Sequence, residues 1–177
     1  MPSLKIVAAV CFLVSGLGVC RANLGDTEAQ CVARYGSESD VQDGLGYHQV
    51  GDKVASFHTK AWGAAVLIRI TFLNGRVCHE MISNDDSSRG LTVDQMKAIL
   101  NAEGAGMDWH KGRTVFRTDR SSWDTAGVQD WQRGDGATAK FWMSGKAASQ
   151  SENGEVELAT KQYTTAQAFY DKEDGAN

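Results

Sequence analysis

Apolar and polar positions are patterned most clearly between Ala64 and Ser83. Ala64 to Leu73 is rich in β-branched and aromatic residues, Asn74-Gly75 has the composition of a two-residue hairpin turn, and Arg76 to Ser83 returns. Pairing across that turn sets Phe72 opposite Val77, Ile70 opposite His79 and Ile68 opposite Met81, which predicts one apolar face. Arg69 then meets Glu80, and Thr71 meets Cys78, on the other face. A further strand around Val54 to His58 is expected to join through a turn at Lys60 to Gly63.

Helical spacing shows in two places, each opened by Gly-x-Thr-x-x-Gln: Gly25 to Gln30 and Gly90 to Gln95. Thr27 and Thr92 are placed to cap the first turn, and Gln30 and Gln95 complete the capping-box spacing. Cys31, Val32 and Tyr35 line one face of the first helix, and Met96, Ile99 and Leu100 one face of the second, with Gly36 and Gly104 as stops. Ser37 to Gly46 is a polar connection, and Asn84 to Arg89 a polar link. The second half reads as a helix from Thr92 to Ala102, a tryptophan-bearing region, and strands at Ala137 to Met143 and Glu155 to Thr160. An acidic tail, expected to fray, begins near Asp171. The fold class expected is α+β, as two tandem helix-plus-antiparallel-strand units: 23–84, then a Trp-rich 85–163, followed by a tail at 164–177.

That repeated plan resembles the small envelope proteins of the SmpA/OmlA (BamE-like) type, which set a compact helical pair on a short antiparallel sheet. Its tandem form is similar to the beta-lactamase-inhibitor-protein architecture, whose sheet offers a concave binding surface. The resemblance implies a binding protein of the cell envelope. The first helix start also resembles uncharacterised exported bacterial proteins.

The first twenty-two residues stand apart. Lys5, the apolar run Ile6 to Val19 and the small-x-small ending Cys20-Arg21-Ala22 read as a signal peptide cleaved after Ala22, so the chain is expected to be periplasmic or secreted. Leu17-Gly18-Val19-Cys20 is similar to a lipobox, with bulky Val19 where a small residue belongs, and a lipoprotein anchored at Cys20 is the alternative. Export would leave Cys31 and Cys78 of the four cysteines, and an even pair in an oxidising compartment suggests one disulfide, worth about 4 kcal/mol in the chain-entropy picture. Two buried thiols are the other reading. The chain has 18 Lys plus Arg against 22 Asp plus Glu; without Lys5 and Arg21 the balance is 16 to 22, and the net charge moves from -4 to -6. An acidic chain argues against nucleic acid and anionic membrane surfaces as partners, and no transmembrane segment is expected in the mature chain.

Candidate chemistry is sparse. His48, His58, His79 and His110 show no metal-ligand spacing, and the serines at 83, 87, 88, 121 and 122 lie in no nucleophile motif. Asp85-Asp86 lacks the alternation of a calcium loop; Gly134-Asp135-Gly136 and Gly145-Lys146 fall short of a phosphate loop; Arg133-Gly134-Asp135 is a three-residue match to an integrin ligand. No enzyme activity, cofactor or metal is expected. Four of the five tryptophans, Trp109, Trp123, Trp131 and Trp142, lie in the second half among arginines. Tryptophan and arginine dominate binding hot spots, so Trp109, Arg120, Trp123, Trp131 and Arg133 are the candidate binding residues, with Trp123 and Trp131 the most exposed. An unidentified protein partner in the envelope is the first reading, and a carbohydrate or cell-wall ligand stacked on the same rings the alternative.

Overall fold

The structure, a computed structural model, describes residues 23–43, 50–86, 89–104, 106–118, 125–143 and 154–174; the leader, His48, the serines at 87, 88, 121 and 122, Arg120, Trp123 and Gly145-Lys146 lie outside them. In chain order the elements are α1 (Glu28–Tyr35), β1 (Asp40–Asp43), β2 (Lys53–Ala61), β3 (Ala64–Leu73), β4 (Arg76–Asn84), α2 (Val93–Glu103), β5 (Trp109–Thr118), β6 (Thr125–Arg133), β7 (Thr138–Met143), β8 (Gly154–Ala159) and α3 (Lys161–Asp174). Among the described residues, no helix is long and apolar enough to cross a membrane.

Local signals set both predicted helix starts. Thr27 accepts from the Gln30 amide while Gln30 Oε1 accepts from the Thr27 amide at 2.8 Å, and Thr92 with Gln95 repeats the exchange at 3.2 and 2.8 Å. These are reciprocal capping boxes, which satisfy amides that the first helical turn leaves without partners. Both predicted turns form as two-residue loops. Asn74 and Gly75 have φ of 54° and 69°, and Trp62 and Gly63 have 49° and 79°, the doubly positive pair that matches strand twist. Asn and Gly tolerate that region. Trp62 is a bulky residue held there, with its ring packed against the core.

The tandem architecture does not form. All eight strands belong to one antiparallel sheet of order β1-β2-β3-β4-β8-β7-β6-β5. β8 returns to the middle and pairs with both β4 and β7, which joins the strands of both halves of the chain in one continuous ladder. The strands β5 and β6 of the tryptophan-bearing region pair with each other, and residues 164–174 of the expected tail belong to the helix α3. Thr160 Oγ1 accepts from the Tyr163 amide at 3.2 Å in the first turn of α3, and Tyr163 is fully buried. Burial of that ring, with Ala166 and Tyr170 packed beside it, holds the helix on the sheet.

Register differs from expectation by one residue over most of the β3–β4 hairpin. Phe72 faces Val77 as predicted, but a bulge then places His79 opposite Thr71, Glu80 opposite Ile70, Met81 opposite Arg69 and Ile82 opposite Ile68. One extra residue, Cys78, exchanges the faces of everything after it. Glu80 therefore enters the core, and His79 and Met81 leave it.

The two faces carry separate clusters. On the inner face, Phe57, Val66, Ile68, Ile70 and Phe72 pack with Cys31 and Tyr35 of α1 and with Met96, Ile99 and Leu100 of α2. On the outer face a smaller cluster joins Val50, Cys78 and Ala159 to Tyr163, Ala166 and Tyr170 of α3. Cys31 and Cys78 belong to different clusters, and both are free thiols. The expected bridge is absent because the sheet lies between the two side chains.

Candidate functional site

Trp109, Trp131 and Arg133 do converge, but on the inner face at the C-terminal end of α2. Arg133 is 5% exposed. Its Nη1 donates to the Glu103 carbonyl, its Nε and Nη2 grip Asp135 at 3.0 and 2.8 Å, and its guanidinium lies 5.2 Å from the Trp109 ring centroid. Trp109 Nε1 donates to the Leu100 carbonyl at 2.9 Å. Arg133 and Trp109 thus satisfy two of the carbonyls that a helix end leaves open, and they clamp α2 to the far half of the sheet. Trp131 tilts against Phe141 with centroids 5.8 Å apart, and its indole nitrogen is buried without a partner. A groove of about 530 Å³ opens beside these rings, lined also by Lys97, Asn101, Met107 and Asp108. Arg133 and Asp135 clasp each other within the β6–β7 turn, and hydrogen bonding to Arg133 holds the Asp135 carboxyl below the usual range. The Arg-Gly-Asp match is therefore a structural turn.

Sequence reasoning missed the outer face, which the bulge and the return of β8 assemble. Register lines up Arg69, Met81, Glu157, Lys140 and Asp130 across five adjacent strands, β3, β4, β8, β7 and β6. Glu157 is the centre of this row and is 8% exposed. Trp142 Nε1 donates to its Oε2 at 2.9 Å, and His79 Nε2 and Lys140 Nζ lie 3.4 and 3.6 Å from its Oε1. Burial opposes ionisation of Glu157, but the His79 hydrogen bond and the nearby cation Lys140 outweigh it and hold the carboxyl down at about 2. The Tyr163 ring of α3 stacks on His79, centroids 4.5 Å apart and planes at 17°. A carboxylate with its oxygens engaged and so little affinity for a proton is a structural anchor, ill suited to act as a general base.

Around that anchor the outer face is partly open. Leu67, Met81 and Trp142 are half-buried, Arg69 is exposed, and Val115 on β5 is exposed. A second groove, of about 570 Å³, runs between α3 and β5–β7, lined by Arg113, Asp130, Gln132, Lys140, Gln167 and Asp171. The remaining histidines offer little chemistry: His58 Nδ1 lies 2.6 Å from Asp85 Oδ1 in an exposed pair, and His110 is exposed on β5. Among the described residues no group of three or more His, Cys, Asp or Glu is placed to hold a metal ion. Compared with family models, curated proteins and solved structures, the chain matches none.

Proposed function

We propose that this chain is a non-enzymatic exported module that binds a protein partner through the outer face of its sheet, beside α3. The observation that carries the reading is the row from Arg69 to Lys140. It sets a rigid, charge-fixed centre among half-buried Leu67, Met81 and Trp142, with Arg69 exposed at one side. Trp142 and exposed Arg69 are residue types enriched at binding hot spots, Met81 is a type favoured at interfaces, and holding them on strands limits the entropy lost on association. Trp109 and Arg133, which first drew attention in the sequence, serve the α2 clamp instead. The carbohydrate alternative needs flat, exposed rings, and Trp109 and Trp131 use theirs against Arg133 and Phe141. Export rests on the leader pattern, and N-terminal sequencing of the mature protein tests it: an Asn23 start supports release, whereas a lipidated Cys20 start would replace it with anchoring.

The binding test uses the tagged full chain on envelope extracts, comparing wild type with Arg69→Glu/Leu67→Ser and with a helix-side control, Lys97→Glu. A specific protein retained by wild type and control but lost by the outer-face variant is expected. Retention by all three, or capture of glycan matrices alone, would overturn the proposal.

A further inference from the structure

Two carboxyl groups lie buried inside the helix-covered face within electrostatic reach of each other, and neither has a hydrogen-bond partner of sound geometry. The bulge in β4 turns Glu80 inward, and Glu103 is the last residue of α2; they are 1% and 0% exposed. None of their four carboxyl oxygens makes a hydrogen bond of sound geometry, although the Leu24 backbone approaches Glu103 closely enough to offset part of the effect of its burial, and the buried hydroxyl of Tyr35, the last residue of α1, makes none either. The three groups lie within electrostatic reach of one another. The other titratable and charged groups facing them are Cys31 and Arg34 on α1, Asp26 before it, and Arg133 on β6. Arg34 is bound to Asp26, and Arg133 to the Glu103 carbonyl and Asp135. Arg34 approaches the Tyr35 hydroxyl closely enough to offset part of the effect of its burial, without forming a sound hydrogen bond.

An ionised carboxylate in such a place lacks the hydrogen bonds that compensate for lost water, and a second one beside it adds repulsion. Both helices also end here. The partial negative charge at a helix C-terminus opposes a further negative charge, and Arg34 and Arg133 at these two ends offset only part of the total penalty. A proton is the simplest remedy, since a neutral carboxylic acid gains a donor as well as losing its charge.

We propose that Glu80 and Glu103 form a proton lock: the pair keeps at least one proton inside the folded core, and its loss in mild alkali releases the C-terminal ends of α1 and α2 from the sheet. Burial pushes Glu80 up to about 8, and burial together with the charge of Glu80 raises Glu103 well above the usual range. The folded chain therefore retains a proton that the unfolded chain gives up near 4.5. Stability conferred by that proton is complete below about pH 4.5, declines as pH rises, and is exhausted above about pH 8. Each pH step within that window multiplies the unfolding constant by up to about tenfold, less near either end, so the lock alone accounts for roughly 400-fold between pH 5 and 8.

The test compares wild type with Glu80→Gln/Glu103→Gln, which keeps the shapes but cannot ionise. Unfolding constants across the window should rise steeply in wild type relative to the variant. Infrared spectra of wild type at neutral pH should show a protonated carboxylic-acid carbonyl band that disappears in mild alkali as the emission of Trp109 and Trp131, beside the end of α2, changes. Parallel pH profiles for the two proteins, no such band in wild type, loss of the band with unchanged tryptophan emission, or a metal ion that co-purifies with wild type alone would each overturn the proposal. The wild-type infrared and emission measurements decide the matter even where the variant does not fold.

Discussion

Replacing Glu157 with Gln tests the centre of the outer face. The amide oxygen of Gln can still accept from Trp142, whose indole nitrogen lies 2.9 Å from the carboxylate. It carries no charge for Lys140 and offers the His79 ring only a neutral partner. A carboxyl held at about 2, against an ordinary 4.5, binds a proton more weakly when folded than when unfolded. At ~1.4 kcal/mol for each tenfold change in proton affinity, the difference is worth about 3 kcal/mol. The sign follows from the depression: this stability is present above about pH 4.5 and is lost as pH falls through about 2. Glu157→Gln should therefore cost about 3 kcal/mol near pH 7, and its deficit should shrink steadily in acid. Urea unfolding of both proteins, followed by tryptophan emission at several pH values, measures the gap. Taking the difference between wild type and variant removes the opposite slope that Glu80 contributes to both. Lys140 is about a third exposed and screened by salt, whereas His79 is buried, so added salt should narrow the gap only in part. A deficit under about 1 kcal/mol near pH 7, the value of an ordinary surface pair, or one independent of pH, would refute the reasoning.

Other expectations follow from the same geometry. Thr27→Ala and Thr92→Ala each remove a reciprocal capping box and should cost about 1 kcal/mol in chemical denaturation; a stability unchanged in both would contradict the capping account. Arg133→Ala removes the guanidinium that donates to the Glu103 carbonyl and to Asp135 and uncovers Trp109, for a loss of about 2 kcal/mol accompanied by a change in tryptophan emission. In the native state neither Cys31 nor Cys78 should react with an alkylating reagent, because both thiols are buried and burial pushes each up to about 12. Mass spectrometry of a chain beginning at Asn23, which keeps only Cys31 and Cys78, should find two labels after denaturation without reductant, and none would mean that the cysteines are bridged.

What was legible in the sequence was local. A capping box needs four residues, and a two-residue turn needs two, so α1, α2 and both turns could be read from composition alone. The bulge at Cys78 could not. An alternating pattern has no mark for one unpaired residue, and Glu80 therefore looked like an outward partner of Arg69 although it is buried against Ile70. Pairing between distant strands was equally hidden: nothing near Gly154 to Ala159 states that β8 lies between β4 and β7, and on that insertion depends the choice between two units and one sheet. β5 carries Lys111, Gly112 and Arg113 where alternation would be sought, which masked it as a strand. α3 did leave a trace, since Tyr163, Ala166 and Tyr170 recur at helical spacing and are the residues that meet the outer cluster. As for the site, Trp109 and Arg133 were recognised as unusual, but whether an aromatic-arginine pair serves a surface or a helix end depends on a burial that composition does not encode. Glu157, Met81 and Trp142 drew no notice because they become neighbours only through the assembled sheet.

Site-directed photo-crosslinking in intact cells tests the central claim most directly. A benzophenone amino acid replaces Glu155, exposed on the outer face beside Trp142, in one protein and Asn101 on α2 in another. Binding through the outer face predicts one discrete protein adduct from position 155 and none from position 101. An adduct from position 101 alone, or none from position 155, would contradict it.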